Sequence, residues 1–221
     1  MFQLNLGSPR GADRLLTVLC LGAHADDIEI GCGGTILKML RERSDIEIYW
    51  YVFGARDQRA QEAVESADLF LEGAKKKKIE VRGFRDGFFP YQGAEIKELF
   101  EGMKKEVNPD IIFTHYREDL HQDHRVISEL TWNTFRDHWV LEYEIPKYDG
   151  DLGSPNLFVY LDETTCKAKI QHIVNVFKTQ KQKHWFTEDV FWGLLRLRGF
   201  ECVSTGKYAE AYYCRKTIIS L

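Results

Sequence analysis

A continuous apolar run at residues 15–22 (LLTVLCLG) constrains the fold most, because it has the length of a strand and no polar alternation. Such runs are typical of strands buried on both faces, as in a parallel sheet. The polar stretch HADD (24–27) follows, and after it we predict a glycine-rich turn at 31–34 and a helix from Thr35 to about Arg43. Strand, loop and helix in this order form the opening βα unit of an α/β fold.

The rest of the chain continues the alternation of strand and helix as far as residue 135. Apolar and β-branched runs predict strands, and amphipathic spacing predicts the helices between them. The predicted strands lie at 46–53, 79–81, 111–114, 139–145 (an edge strand), 157–161 and 212–219, and the predicted helices at 59–71, 95–107, 125–135 and 163–178. We expect one domain over residues 1–221, with a Rossmann-like three-layer α/β/α sandwich and a mostly parallel sheet.

The composition of the 221 residues argues against several classes of protein. Hydrophobic residues make up 44% and charged residues 29%, which is typical of a globular chain rather than a disordered one. The net charge of −4 gives no support for a nucleic-acid partner. The apolar run at 15–25 is too short to cross a bilayer, and residues 1–14 lack the features of a signal peptide. Five scattered cysteines without CxxC spacing favour reduced thiols, so we expect a cytoplasmic protein without stable membrane insertion.

Two polar clusters follow predicted strands and contain the residues best suited to chemistry. The first contains His24, Asp26 and Asp27, and the second is the stretch DLHQDH (119–124), a few residues after the strand at 111–114. Parallel strands end at the same edge of a sheet, so we expect the two clusters to converge. Imidazole and carboxylate groups bind hard-to-borderline divalent ions, and two histidines with one carboxylate leave positions open for water and substrate.

The carboxylates of Asp26 and Asp27 are adjacent in the sequence, and neighbouring side chains need not point the same way. The two residues can therefore have different roles at one metal site. One can bind a metal while the other acts as general base on the water that the metal activates. A lone HADD stretch is more typical of a solvated loop or a helix cap. A dinucleotide-binding loop is a weak alternative for the glycines, since GCGG is not GxGxxG and two carboxylates precede it.

Taken together, these stretches closely resemble the PIG-L/LmbE-like family of metal-dependent de-N-acetylases. The resemblance rests on HADD (24–27), GCGGT (31–35) and HQDH (121–124), and it extends to RAQE (59–62), Asp86 and YAEA (208–211). Ala25 and Gln122 stand where the family often has proline, and neither change removes a ligand. Members of the family deacetylate N-acetylglucosamine units on phosphatidylinositol, on inositol or malate conjugates, and in antibiotic and surface-glycan pathways.

The resemblance implies a role for each matching residue. It makes the metal ligands His24, Asp27 and His124. Asp26 would be the general base, His121 would stabilise the oxyanion or protonate the leaving amine, and Asp123 would orient a histidine. Zn²⁺ fits this ligand set best, and Fe²⁺ fits it as well.

Four residues are candidate substrate contacts, and each has a structural alternative: Arg59, Glu62, Asp86 and His115. Arg59 and Glu62 could pair with each other on a helix, Asp86 could be a turn residue, and His115 could be a structural histidine. The four lysines at 75–78 form either a solvated helix end or loop, or a contact for a phosphate or an anionic lipid. The aromatic residues at 84–91 either pack in the core or stack on a sugar ring.

We therefore expect a zinc-dependent carbon–nitrogen hydrolase that removes acetyl from an N-acetylated amino sugar, a small molecule of the N-acetylglucosamine type that is conjugated or linked to a nucleotide or lipid. Two alternatives stay open. The first is an amidase of the same mechanism that acts on a non-sugar amide, and the second is a non-catalytic nucleotide- or sugar-binding Rossmann-like domain. Relatives in the family often form trimers or hexamers, so a homo-oligomer is compatible with this expectation.

Overall fold

Strands and helices alternate along the chain in the computed structural model, which describes residue 3 and residues 14–218. Within residues 14–218 the strands are β1 (Leu16–His24), β2 (Ile46–Gly54), β3 (Lys76–Val81), β4 (Ile111–His115), β5 (Trp139–Tyr143), β6 (Leu157–Leu161) and β7 (Tyr208–Cys214). The helices of this region are α1 (Asp27–Glu42), α2 (Asp57–Phe70), α3 (Gly93–Glu106), α4 (Gln122–Thr134), α5 (Glu163–Val176) and α6 (Glu188–Glu201), with 3-10 turns at Phe89–Tyr91 and Lys178–Gln180. Over the same residues, no helix has both the length and the apolar character needed to cross a membrane.

The described strands form one mixed sheet in the order β3-β2-β1-β4-β5-β7-β6. The neighbours from β3 to β5 are all parallel, whereas β7 runs antiparallel to both β5 and β6. The chain moves outward from β1 to β3 and then returns to place β4 on the other side of β1. The strand order therefore reverses between β1 and β4, and open α/β sheets bind their ligands beyond the carboxyl ends of the strands at such a point.

Helices cover both faces of this sheet, which confirms the predicted three-layer α/β sandwich. Helices α1, α2, α5 and α6 pack on one face, and α3 and α4 pack on the other. Strand β1 is buried along its whole length. Its residues Val18 and Cys20 face one core, and Leu19 and Leu21 face the other, which explains why its sequence has no polar alternation.

The glycine-rich stretch, predicted as a turn, is instead part of helix α1, which begins at Asp27. A Cβ on Gly31 would lie 2.1 Å from the ring of Tyr143 in β5, and one on Gly33 would lie 2.5 Å from the ring of Phe70 in α2. The prediction of a turn was wrong because local composition favours turns at glycines, whereas here the missing side chains allow α1 to pack closely against its neighbours.

Two predicted strands also differ from the structure, and one helix was not predicted. The strand predicted at the edge (139–145) corresponds to β5, which lies inside the sheet between β4 and β7. The strand predicted at 212–219 begins earlier, at Tyr208, and residue 219 lies outside the described residues. Helix α6 was not predicted, since Gly193 and Gly199 interrupt its apolar pattern. A Cβ on Gly199 would lie 2.1 Å from the carbonyl oxygen of Lys207, so this glycine lets the helix approach the backbone.

The lysine run at 75–78 leads into β3, an edge strand, rather than a helix end or loop. Lys77 forms an ion pair with Asp68 at 2.7 Å, and Lys78 forms one with Glu106. Charged side chains on an edge strand discourage pairing with another chain. The position of the lysines therefore suits them to protecting this edge.

A buried ion pair joins the last strand to helix α1. Lys169 of α5 lies 2.6 Å from Glu210 of β7, and each side chain is 3% exposed. Lys169 donates to the carbonyl oxygen of Ile30 at 2.6 Å, and Glu210 accepts from the backbone N–H of Gly34 at 2.8 Å. These two backbone groups lie four residues apart in α1, so the ion pair binds a donor and an acceptor of the kind that an i to i+4 helical hydrogen bond joins. The YAEA stretch, which contains Glu210, thus anchors the helix that begins at Asp27.

Replacing Lys169 by Met tests this anchor. Lys169→Met should lower the free energy of unfolding by about 3–5 kcal/mol, because it leaves the Glu210 carboxylate buried without its partner. Lys77→Met removes one partner of an exposed pair and should cost less than about 1 kcal/mol. Urea unfolding of both variants measures the difference. Equal losses would mean that the buried pair does not anchor α1.

Candidate metal centre and active site

The two predicted polar clusters meet at the carboxyl ends of β1 and β4. His24 is the last residue of β1, and Asp27 is the first residue of α1. His121 and His124 lie at the start of α4, just beyond β4. Because β1 and β4 are adjacent and parallel, with Cys20 aligned with Phe113, both loops emerge at the same edge of the sheet.

Ligand atoms of three residues face one another at the spacing that a bound metal ion requires. His24 Nδ1 lies 3.2 Å from His124 Nε2. Asp27 Oδ2 lies 3.4 Å from His24 Nδ1, and Asp27 Oδ1 lies 3.5 Å from His124 Nε2. Tetrahedral coordination with bonds of about 2.0–2.2 Å places neighbouring ligand atoms about 3.3–3.6 Å apart. These three residues therefore fit a divalent cation.

The outer nitrogens of both imidazoles face carboxylates, which fixes where their protons lie. His24 Nε2 is 3.2 Å from Asp123 Oδ2 and 3.2 Å from Asp86 Oδ1. His124 Nδ1 is 2.9 Å from Asp119 Oδ2. A carboxylate only accepts hydrogen bonds, so each outer nitrogen carries a proton, and in the neutral form of both rings the inner nitrogens present lone pairs to each other. In that form the two lone pairs and the Asp27 carboxylate repel one another unless a cation or a further proton lies between them.

The pKa values of these groups agree with a cation-binding centre. Burial, together with the charge of His115, lowers the pKa of His124 to about 3, so this ring is a neutral ligand at neutral pH. Burial disfavours the charged form of Asp27, yet the imidazoles of His124, His115 and His24 hold its pKa well below the ordinary value. Burial also opposes the charge on His24, but Asp27 and the carboxylates at its outer nitrogen raise its pKa. A proton therefore competes with a cation for the inner lone pair of His24.

Three further groups of ligand atoms overlap with this one, and the first of them adds a nitrogen of His121 to those of His24 and His124. On the far side of His24, Asp86, His121 and Asp123 also approach one another. There, however, both oxygens of Asp123 already accept from backbone N–H groups, those of Gly87 (2.6 Å) and Phe89 (3.1 Å), whereas Asp27 accepts a backbone N–H on Oδ2 alone, from His24 at 2.6 Å. The site on the Nδ1 side of His24 is therefore the better candidate.

The third overlapping group consists of Asp27, His115 and His124. The Nε2 atom of His115 accepts from the backbone N–H of Ala23 at 2.9 Å, so that lone pair is already in use. His115 is fully buried and stacks on His124 with ring centroids 3.9 Å apart. It thus supports the metal ligands from behind and does not reach the surface.

Asp26 directly precedes the candidate metal ligand Asp27. Among the described residues, one of its carboxylate oxygens accepts a hydrogen bond and the other has no partner. Oδ1 accepts from Arg59 Nη2 at 3.2 Å, whereas Oδ2 is buried and has no hydrogen-bond partner among the described residues. Burial and the nearby Asp27 raise the pKa of Asp26, and Arg59 opposes that rise. A buried acceptor without a partner and with a raised pKa suits a group that takes a proton from water.

His121 presents a hydrogen-bond donor to the same space. Its Nδ1 accepts from the backbone N–H of Asp123 at 3.2 Å and so caps helix α4. In the neutral ring the proton is then on Nε2. Burial and the charge of His24 lower the pKa of His121, which favours this neutral form. One of its nitrogens lies within 4.8 Å of nitrogens of His24 and His124.

The other predicted substrate contacts separate into two groups. Arg59 lies at the site, 3.2 Å from Asp26 and 3.7 Å from Asp86. The side chain of Asp86 is 58% exposed, so it marks the open side of a site whose candidate metal ligands are almost fully buried. Glu62 does not pair with Arg59; it accepts from the backbone N–H of Thr179 at 3.0 Å and from its hydroxyl at 2.5 Å. Glu62 therefore ties α2 to the turn at Lys178–Gln180.

Asp119 and Lys147 belong to the site and were not among the predicted site residues. Asp119 Oδ2 accepts from His124 Nδ1 and from Lys147 Nζ, the latter at 2.8 Å, and Asp119 Oδ1 accepts from the backbone N–H of His121. The position of Asp119 in DLHQDH was the available signal, because carboxylates commonly orient metal-binding histidines. Lys147 gave no comparable signal, since its contact depends on the loop after β5.

The comparisons with known proteins agree with this geometry. A family model described as PIG-L, GlcNAc-PI de-N-acetylase, matches residues 19–135, which is more than half of the chain. The chain belongs to this family.

Solved structures of several enzymes share the fold. The N,N′-diacetylchitobiose deacetylase of Pyrococcus horikoshii, in complex with an inhibitor, superposes with a TM-score of 0.64 and 24% identity, over 90% of this chain and 84% of that chain. A zinc-inhibited form of a teicoplanin deacetylase gives 0.68 and 14%, over 90% and 97%. The 4-carboxy-2-hydroxymuconate hydratase of Pseudomonas putida KT2440 gives 0.71 and 15%, over 94% and 99%. The fold alone therefore does not decide the reaction.

Removing the charge of Asp119 tests its role in orienting His124. Asp119→Asn should weaken the binding of Zn²⁺ by about 10- to 100-fold, because the outer nitrogen of His124 loses its carboxylate partner. Asp137→Asn is the control, since Asp137 is 92% exposed and its histidine neighbour His138 lies outside the site. Competition with a chromophoric chelator measures both affinities. An unchanged affinity in Asp119→Asn would exclude this role.

Proposed function

We propose that this protein is a divalent-metal-dependent hydrolase that removes the acetyl group from an N-acetylated amino sugar. The observation that carries the proposal is the arrangement of His24, His124 and Asp27, whose facing ligand atoms lie 3.2 to 3.5 Å apart. The next residue in the sequence, Asp26, has a buried carboxylate oxygen without a hydrogen-bond partner among the described residues. Membership of a de-N-acetylase family supports an amide bond as the bond that is cleaved.

The chain's own residues have distinct tasks in this reaction. A divalent cation held by His24, Asp27 and His124 would polarise the substrate carbonyl and lower the pKa of water. Asp26 accepts the proton of the attacking water on Oδ2, while Arg59 holds its other oxygen.

His121 completes the set of groups that act on the substrate. Its Nε2–H donates to the carbonyl oxygen and stabilises the charge that develops there, and the proton that Asp26 has taken from the water passes to the leaving amine. The products are acetate and the free amino sugar. Asp123 and Asp119 keep His24 and His124 in the orientation that exposes their inner nitrogens.

The ligand chemistry indicates a divalent metal ion but does not distinguish Zn²⁺ from Fe²⁺. Two imidazoles and one carboxylate fit Zn²⁺ and also accommodate Fe²⁺. Since a related deacetylase is known in a zinc-inhibited form, activity is best compared after loading with each metal separately. A chelator should abolish activity in either case, and the correct metal should restore it.

The substrate class rests on the family and on one structural neighbour. The family name refers to N-acetylglucosamine linked to phosphatidylinositol, and the Pyrococcus horikoshii enzyme is a deacetylase of a chitin disaccharide. We also propose that residues 1–221 form a single deacetylase domain, that it acts in the cytoplasm on a small molecule, and that nucleic acid is not a partner. An amidase on a non-sugar amide remains the alternative with the same machinery.

A panel of substrates tests the proposal. Acetate release is measured with free, glycosidic, nucleotide-linked and lipid-linked N-acetylhexosamines, using the metal-loaded enzyme. Release from at least one of them supports the amino-sugar reaction and identifies what carries the sugar. A bound metal without acetate release from any of them would contradict it. A hydratase or a non-catalytic sugar-binding domain would likewise release no acetate.

Asp26→Asn separates catalysis from metal binding. The variant should retain one equivalent of metal and lose about 10²- to 10⁴-fold in kcat, because it removes the proton acceptor and leaves the ligands in place. Asp68→Asn, at an exposed carboxylate on α2, should match the wild type. Metal content and acetate release are measured on the same samples. Near-wild-type turnover in Asp26→Asn would show that another group is the base.

A further inference from the structure

A groove beside helix α4 collects positive charge on a chain whose net charge is −4. It is lined by the loop after β4, by α4 and the turn that follows it, and by the stretch after β7. Each of these segments contributes basic side chains, which are Arg117, Arg136, Arg215 and Lys216. The groove has a volume of about 680 Å³, and sites for small organic ligands commonly measure about 300–1,000 Å³.

The ring of Trp132 on α4 brings three of these cations close together. The charged groups of Arg117, Arg215 and Lys216 lie 5.6, 4.3 and 5.4 Å from its centre. Cation–π attraction holds cations at such distances, but it does not remove the repulsion between them. Like charges gathered around one ring therefore favour the binding of an anion beside them.

Arg117 is the member of this group whose charge is used within the protein. Its Nε lies 3.4 Å from Glu142 Oε1, and its backbone N–H donates to Glu142 Oε2 at 3.0 Å. Glu142 is fully buried and also accepts from Trp132 Nε1. This carboxylate therefore fixes one wall of the groove and does not neutralise the other cations.

The other three cations leave an excess of positive charge in the groove. Among residues 14–218, no carboxylate forms an ion pair with Arg136, Arg215 or Lys216; Arg136 Nε and Lys216 Nζ donate to backbone carbonyl oxygens instead. The groove is also lined by the exposed carboxylate of Glu129. Three unpaired cations against this one carboxylate leave two positive charges without a partner in the described part of the chain.

A buried hydroxyl in the lining also has no partner. Ser128 is fully buried, and its Oγ makes no hydrogen bond with the described residues. Buried polar atoms are nearly always paired, so such an atom indicates a bound water or ligand. Trp132 lies eight residues after His124 on α4, which is about 12 Å along the helix axis. None of the three candidate metal ligands lines the groove, so the two sites are separate.

We propose that this groove binds the phosphate group of a small organic phosphate. A phosphate monoester carries about 1.5 to 2 negative charges at neutral pH, which matches the two unpaired positive charges. Guanidinium groups bind phosphate oxygens through paired hydrogen bonds, and two of the three unpaired cations are arginines. A monocarboxylate would neutralise only one of the charges. The proposal does not depend on the proposed function.

Calorimetric titration of the metal-loaded protein at about 0.15 M salt tests this site, because that salt concentration screens weak surface attraction. The ligands are AMP, glucose 6-phosphate and inositol 1-phosphate, each compared with its phosphate-free counterpart. They distinguish a nucleotide, a sugar phosphate and a lipid headgroup as the source of the phosphate. At least one should bind, and its counterpart should bind on the order of 10-fold more weakly, since the charged hydrogen bonds are lost.

Four variants locate the binding site. Arg136→Gln and Arg215→Gln should each weaken binding on the order of 10-fold, because each removes a charged donor. Glu129→Gln removes an opposing charge and should tighten binding about 2- to 5-fold. Arg196→Gln, at an exposed arginine on α6, is the control and should match the wild type. The three substituted groove residues are exposed, so their urea unfolding should also match the wild type.

Three outcomes would overturn the proposal. An unchanged affinity in both arginine variants would place the phosphate elsewhere, for example at the metal. No binding of any organic phosphate would exclude the site. Inorganic phosphate that binds as tightly as every organic phosphate would show an anion site without an organic ligand. Each of these leaves the deacetylase proposal intact, because acetate release is measured separately.

Discussion

The parallel pairing of β1 with β4 is the constraint on which the site depends. These strands are neighbours in the sheet but not in the sequence, and the strand order reverses between them. Their carboxyl ends therefore bring two loops together from positions about one hundred residues apart, as the contact between His24 and His124 shows. The close packing of α1 at Gly31 and the anchor formed by Lys169 and Glu210 hold the first of these loops against the sheet. A shift of either strand would separate the ligands.

The carboxylates that contact the two imidazoles determine which nitrogen of each ring is available to a metal ion. Asp119 and Asp123 accept hydrogen bonds from the outer N–H groups of His124 and His24, and in the neutral rings the lone pairs consequently point inward. Burying so many polar groups is unfavourable unless each finds a partner. A divalent cation held there would satisfy the inner nitrogens and the Asp27 carboxylate together, and under the proposed function its binding would stabilise the fold.

Much of the site could be predicted from the sequence, because HADD and HQDH each follow a buried strand and each residue type has a narrow chemistry. What could not be predicted depends on contacts distant in the chain. Glu62 turns toward Thr179 rather than toward the substrate, and Lys147 reaches Asp119 from the loop after β5. The glycines of GCGG favour a turn by composition, but the neighbouring Tyr143 and Phe70 rings make them part of a closely packed helix. Local sequence patterns thus predict most strands and helices, but they do not predict which side chains from distant parts of the chain will contact one another.

Locating the metal tests the account most directly. Crystals of the protein loaded with Zn²⁺ would be measured at the zinc absorption edge, and an anomalous difference map would give the position of the ion. The account predicts a peak within about 2.0–2.2 Å of His24 Nδ1, His124 Nε2 and one oxygen of Asp27. A peak on the other side of the His24 ring, between Asp86 and Asp123, would contradict it. The protons of His24 would then be assigned to the wrong nitrogen, and Asp26 would no longer lie beside the metal.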